Sequence, residues 1–448
     1  MLRLDRALAA LALSLAACAG AEPDRLIGAS KPAPLPPEVE ATSEPSAAVT
    51  TASAAPREDP RIDAVLTEVS SLRNLPIKSK VRTQVVDRPT VLAKAKKKLA
   101  EELPPGVLER QGDAYRALEL VPAEYDLEAG LLKLLTARVA GFYDPDEKAM
   151  YLLDDLNSRQ DDETLPHELL HALQDQSFNI GPMLDYVPGQ NDRLTAAQHL
   201  IEGDATIYGF LHAYGEDFRV EHSALRAAFE NPTALSTPGS ETPQFLLGSL
   251  VSPYVEGYIF VESILQAGGS SGIDAAFKRL PASTEQILHP QKYTSGEAPL
   301  EVPQLKATSL GDGFKPLYDD SNGELGLRLM LEQWTSEPIA AKAAAGWGGD
   351  RIVVFGAGSG NKRSAALAFL TRMDSDNDAI ELEKVVQSRF GRGCHERADI
   401  GPIAWTRIGR DVLLAAGPFQ IDGGRVTSSA KCADTSKWLR ELSMLLRG

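Results

Sequence analysis

Residues 164–176 read TLPHELLHALQDQ, with His167 and His171 four residues apart and Glu168 directly after the first. On a helix, positions i and i+4 share a face about 5–6 Å apart, so both imidazoles can reach one zinc ion at about 2.0–2.1 Å. Glu168 is turned off that line but stays beside the metal, where it can take a proton from water and later deliver it to a leaving amine. Zinc lowers the pKa of such a water from about 15.7 to about 7, so the residue types match metal-assisted hydrolysis. Pro166 sits just before His167. Proline is tolerated in a first turn, so the helix is expected to begin with Thr164 as its N-cap and His167 in that turn.

A catalytic zinc needs a third protein ligand and an open fourth position. The segment HLIEGDAT, residues 199–206, lies on a separate helical pattern from Leu194 to Ala213 and offers Glu202 and, one turn earlier, His199. A carboxylate from a second packed helix suits the third position, which favours Glu202. Asp204 is close enough to accept a ligand imidazole N–H and fix its tautomer.

With His167-Glu168-x-x-His171 and Glu202-x-x-Ala205 assembled, the chain resembles the gluzincin branch of the zincin metallopeptidases. HELLHALQDQ with EGDA is similar to zincin-like peptidases of bacteria and archaea, and VAGFYDPDEKAMYL (139–152), STEQILHPQKY (283–293) and AAAGWGGDR (343–351) have the same texture. The resemblance runs from Ile62 to Leu446. It implies one zinc held by His167, His171 and Glu202, Glu168 as general base, and a peptide or protein substrate lying along the edge strand of the hairpin at residues 139–152. Zincins also place a group opposite the base to stabilise the oxyanion. His289 and Tyr293, four apart beside Pro290, rank first for that role, ahead of Tyr254 and Tyr258.

Around these motifs the sequence reads as α+β: a mainly helical zincin-like region with a short β-hairpin over residues 61–322, then a small α+β region over 323–448. Apolar residues at Ile62, Val65, Leu66, Val69 and Leu72 predict a helix. KVRTQVVDRP predicts a strand, and the lysine run of TVLAKAKKKLAEEL a solvated helix face. Pro253 to Gly268 predicts another helix, and Ser283 or Thr284 a cap. The segment GAGSGNKRS, residues 356–364, lacks phosphate-loop spacing and reads as a hairpin turn. IAWTRIGRDVLLAAG predicts a second hairpin and DTSKWLRELSMLLR a closing helix. The four tryptophans read as packing residues.

The chain opens with Arg3 and Arg6 ahead of an Ala/Leu run that is shorter than the roughly 20 apolar residues of a bilayer span. This fits an export signal over residues 1–17. Leu15-Ala16-Ala17-Cys18 resembles the lipobox of bacterial lipoproteins, which implies a lipid anchor on Cys18 and a place in the cell envelope outside the cytoplasm. An ordinary signal peptide cleaved near Ala19 or Ala21 is the alternative. Residues 18–60 are rich in Ala, Pro, Ser, Thr and Glu without an apolar period, as in a flexible tether. Cys394 and Cys432 then remain as a disulfide pair, with two buried thiols as the alternative. With 46 Lys+Arg against 62 Asp+Glu the net charge is −16, which disfavours nucleic acid as a partner. Three functions fit: a lipid-anchored zinc peptidase, a zinc hydrolase of non-peptide amides, and a catalytically silent metal-binding or structural envelope protein. The intact Glu168 counts against the last.

Overall fold

Local sequence and long-range pairing build a helical layer that shares a core with one face of a sheet, whose other face carries a second, smaller core. The computed structural model describes residues 61–155, 158–229, 242–359 and 362–446. The expected export signal, Cys18 and the tether lie outside them. Among the described residues no helix is long and apolar enough to cross a membrane.

Helix α1 (Arg61–Arg73) buries Ile62, Leu66 and Val69 along one face. Strand β1 (Arg82–Val86) leads into α2 (Arg88–Glu102), which begins where the Asp87 carboxylate accepts the Thr90 amide at 2.9 Å. After α3 (Val107–Ala117) and α4 (Leu127–Arg138) come the paired strands β2 (Gly141–Asp144) and β3 (Ala149–Leu153). β3 pairs antiparallel with β2 and parallel with β1, so β2 is an edge. The lysine run of α2 does more than meet solvent. Lys94 pairs with Glu147 at 2.7 Å and Lys98 with Asp144 at 2.8 Å, so the opposite charges of the hairpin turn draw that face of α2 onto it.

Helix α5 spans Ser158–Phe178 and runs through Pro166. The expected start at Thr164 is therefore corrected: Thr164 is a buried residue inside the helix. Pro166 removes the hydrogen bond to the carbonyl one turn before it and crowds that carbonyl with its ring, a cost the packing of α5 offsets. Helices α6 (Asn191–Tyr214), α7 (His222–Phe229) and α8 (Gln244–Lys278) follow. α8 starts well before Pro253 and breaks at Gly269, whose φ of 62° is the left-handed conformation glycine accepts. Ser283 caps α9 (Thr284–Leu288), and α10 (Pro290–Ser295) follows directly.

The C-terminal region is built on a seven-stranded antiparallel sheet, and the fold is α+β. Its strands are β4 (Lys315–Asp320), β5 (Trp347–Ser359), β6 (Lys362–Met373), β7 (Cys394–His395), β8 (Ile403–Ile408), β9 (Asp411–Asp422) and β10 (Arg425–Thr427). They lie in the order β4-β5-β6-β9-β8-β7, with β10 on β9. The outer strand β4 comes from before residue 323. β5 and β6 are antiparallel neighbours, paired as far as Ser359 with Lys362, across the Gly-rich segment.

Helices α11 (Gly323–Glu332), α12 (Glu337–Ala344) and α13 (Asp376–Phe390) complete the first layer. Alternation in β6 turns Leu367 and Phe369 to the core shared with the helices, and Ala366, Ala368 and Leu370 to the other face. That second face is covered by α14 (Cys432–Met444) through Trp438, Leu439 and Leu442. Cys394 and Cys432 are disulfide-bonded, tying the start of α14 to β7.

Candidate metal centre

The two histidines occupy one face of α5, as their spacing requires, and α6 crosses that face. His167 Nε2 and His171 Nε2 lie 3.0 Å apart. A Glu202 oxygen lies 3.4 Å from the first and 3.7 Å from the second. Two zinc–nitrogen bonds of tetrahedral geometry hold their nitrogens about 3.3–3.4 Å apart, so the three donors already stand near ligand spacing. His199, the other candidate, is outside this group: its Nδ1 lies 2.7 Å from the Thr195 carbonyl of its own helix, and burial pushes it down to about 4.

The electrostatics of the site suit a cation. Glu168, His171 and Glu202 are wholly buried, and His167 is 4% exposed. Neither Glu202 oxygen has a hydrogen-bond partner, and Glu168 Oε1 has none. A carboxylate taken out of water without compensation is costly and takes up a proton instead. Accordingly, burial raises Glu168 to about 8, opposed by the hydrogen bond from the Tyr143 amide. Burial and the neighbouring Glu168 raise Glu202 well above the usual range. Burial and the adjacent His167 push His171 well below it. A divalent ion among two imidazoles and a carboxylate would resolve all three, so the residues fit zinc.

The neighbouring elements fix the rest of the site. The Tyr143 amide, on edge strand β2, donates to Glu168 Oε2 at 2.9 Å, and the Tyr143 hydroxyl donates to Asp175 at 2.9 Å. The expected edge strand thus abuts the expected base. Asp204 reaches the site indirectly. Gln174, one turn beyond His171, lies between them, 2.8 Å from His171 Nδ1 and donating to Asp204 at 2.9 Å.

His289 and Tyr293 are engaged elsewhere. His289 Nε2 lies 2.8 Å from Glu324, and the Tyr293 hydroxyl donates to the Arg279 carbonyl at 2.9 Å. Tyr254 of α8 is the tyrosine beside the histidines, its ring 6.0 Å from that of His167. It gets there because α6 and α8 cross at two glycines: a β-carbon on Gly203 would lie 2.1 Å from the Gly257 carbonyl oxygen. Glycine inside a helix is a sequence signal of such close approach, and these two would have moved Tyr254 ahead of His289 and Tyr293.

A second acidic group, Glu285, Glu297 and Asp374, also has ligand atoms close together. The Lys292 ammonium already stands among them at 2.6, 2.8 and 2.8 Å, which makes this an ion-pair cluster.

Residues 315–429, from β4 to just past β10, match the model of a family described as a domain of unknown function (DUF8575). No curated protein and no solved structure matches the chain. The matched stretch contains none of the histidines and carboxylates of the metal centre.

Proposed function

We propose that the chain is a zinc-dependent hydrolase of peptide bonds, exported and anchored in the cell envelope through Cys18. The observation that carries this reading is the convergence of His167, His171 and Glu202 in the interior, with both Glu202 oxygens unpartnered and Glu168 beside them. The signal-like N-terminus and the lipobox-like Leu15–Cys18 support the location.

His167 and His171 of α5 and Glu202 of α6 would hold the metal. When bound, zinc supplies Lewis acidity, polarising a carbonyl and acidifying water. Glu168 accepts the proton of the attacking water through its unpartnered Oε1 and passes it to the nitrogen of the leaving amine. The Tyr143 amide holds the other oxygen and so aims the carboxylate. Tyr254 replaces His289 and Tyr293 as the donor to the carbonyl oxygen as negative charge builds there. β2 offers its edge to an extended substrate.

Burial favours a second reading, a metal-binding envelope protein without turnover, because substrate reaches so enclosed a site only if the surrounding helices part. One pair of measurements separates the two: metal content after exhaustive dialysis, by elemental mass spectrometry, and cleavage of a peptide library. The peptidase reading expects one zinc per chain and cleavage that falls at least about 100-fold in Glu168→Gln, which keeps the metal. Bound zinc without cleavage leaves the second reading, and a folded protein that takes up no zinc removes both.

A further inference from the structure

Behind His171 a chain of buried polar side chains runs through the helical layer to its first helix. His171 Nδ1 lies 2.8 Å from Gln174 Oε1. Gln174 Nε2 donates to the Ile201 carbonyl at 3.0 Å and to Asp204 Oδ2 at 2.9 Å. Asp204 Oδ1 accepts from Arg73 Nε at 2.7 Å, and Arg73 Nη2 lies 2.9 Å from Asp274. Arg73, His171, Gln174 and Asp204 are all 0% exposed.

The chain has only one consistent direction. A backbone carbonyl can only accept, so the Ile201 carbonyl decides which end of Gln174 faces it and Asp204. The end of the Gln174 side chain facing both must therefore be its NH2, and the end facing His171 its oxygen. An oxygen facing Nδ1 requires a proton on Nδ1. That leaves the Nε2 lone pair of His171 directed at His167 and Glu202.

We infer that Gln174, Asp204 and Arg73 are positioning residues that hold His171 in the Nδ1–H tautomer, the form whose Nε2 can bind a metal. The inference rests on the zinc-site reading for its purpose, but the tautomer itself is a property of the metal-free chain. It also explains a buried arginine at the end of α1. Arg73 anchors one Asp204 oxygen, and the other accepts from Gln174. α1 is in this way joined to the metal centre, although Arg73 lies 131 residues before Asp204.

The test is the two-bond proton–nitrogen spectrum of histidine-labelled full-length protein without metal, alongside its zinc affinity. Wild type is expected to show His171 as Nδ1–H. Gln174→Met keeps the volume and removes the relay. It is expected to lose that preference and weaken zinc binding about 10–100-fold, while circular dichroism stays unchanged. Asp204→Asn leaves an NH2 facing either Arg73 or Gln174, so one link of the chain is lost, and it is expected to reduce the Nδ1–H preference and the zinc affinity even if Gln174→Met does not fold. A wild-type spectrum in either folded variant, with unchanged zinc affinity, overturns the inference. Wild type that shows Nδ1–H but binds no zinc overturns the zinc-site reading and leaves the relay standing.

Discussion

Replacing Gly203 with alanine tests the helix crossing on which the site depends. The new β-carbon would stand 2.1 Å from the Gly257 carbonyl oxygen and 2.2 Å from its carbon, against 3.4 Å for ordinary contact. The deficit is 1.3 Å, and the obstructing atoms are backbone, which cannot rotate aside. Either α6 and α8 separate by about that distance or the helices deform. Overpacking of this kind costs about 1–3 kcal/mol, and alanine's better helix propensity returns up to about 1 kcal/mol. Gly203→Ala should therefore destabilise by about 1–2 kcal/mol, read as a lower urea midpoint at unchanged slope. Gly209→Ala, on the same helix, is the control. Its β-carbon meets nothing closer than His167 Cβ at 3.9 Å, so it should gain about 0.4–1 kcal/mol. Gly257→Ala meets the His199 carbonyl oxygen at 2.2 Å and should behave like Gly203→Ala. Once one alanine has parted the helices the second has less to displace, so the double variant should lose less than the sum. Equal stability of Gly203→Ala and Gly209→Ala would refute the crossing, and with it the placement of Tyr254.

Two further outcomes follow from the junction of the helices with the sheet. Burial raises Asp192 and Asp320 to about 6 and Asp350 to about 8. Each holds its proton more tightly folded than unfolded, so its contribution is complete below about 4 and drains as pH rises through those values. Metal-free protein should thus unfold at lower urea at pH 8 than at pH 5. Asp350→Asn should flatten the loss between pH 6.5 and 8, and an unchanged slope there would count against the assignment. Replacing Cys394 and Cys432 with serine frees a loop of 38 residues and should cost about 4 kcal/mol in urea unfolding. A loss under about 1 kcal/mol would mean that α14 is held without the bond.

The sequence was most legible where partners are close along the chain. The i and i+4 spacing put His167 and His171 on one face, the Gly-rich segment at 356–364 marked the boundary between β5 and β6, and Ser283 emerged as a cap. It was least legible where partners are far apart. Nothing local to Arg73 points to Asp204, and nothing in the lysine run of α2 points to Glu147. Pro166 misled because a helix-breaking residue carries strong local weight, while the packing that carries α5 through it is tertiary. His289 and Tyr293 were chosen for their mutual spacing, which reflects a capped turn packed on Glu324 and Arg279. Tyr254 stood among the candidates but behind that pair, because the glycines that admit its helix carried no weight in the ranking. α7, α12 and β4 span only eight, eight and six residues, too few for a period to stand out.

β4 also shows why a region without candidate ligands bears on the candidate metal centre. Asp320, its last residue, accepts the Asn191 amide at 2.9 Å and the Tyr186 hydroxyl at 3.1 Å, so the sheet grips the first turn of α6. Next to it, Asp192 accepts from the Thr284 amide at 3.0 Å and from its hydroxyl at 2.5 Å, while that hydroxyl oxygen accepts the Leu325 amide at 3.2 Å. Asp350 of β5 takes the amides of Asn322 and Gly323 at 2.7 and 3.1 Å, fixing the start of α11. Gly323 is required there, because a β-carbon would fall 1.7 Å from the Asp192 carboxylate. From Asn191 to Glu202 is eleven residues, about 16 Å of helix. A helix held at its first turn and wedged against α8 at Gly203 has little freedom to rotate about its axis or slide along it. Glu202, immediately before that wedge, is therefore set by contacts from both regions of the chain, the sheet included.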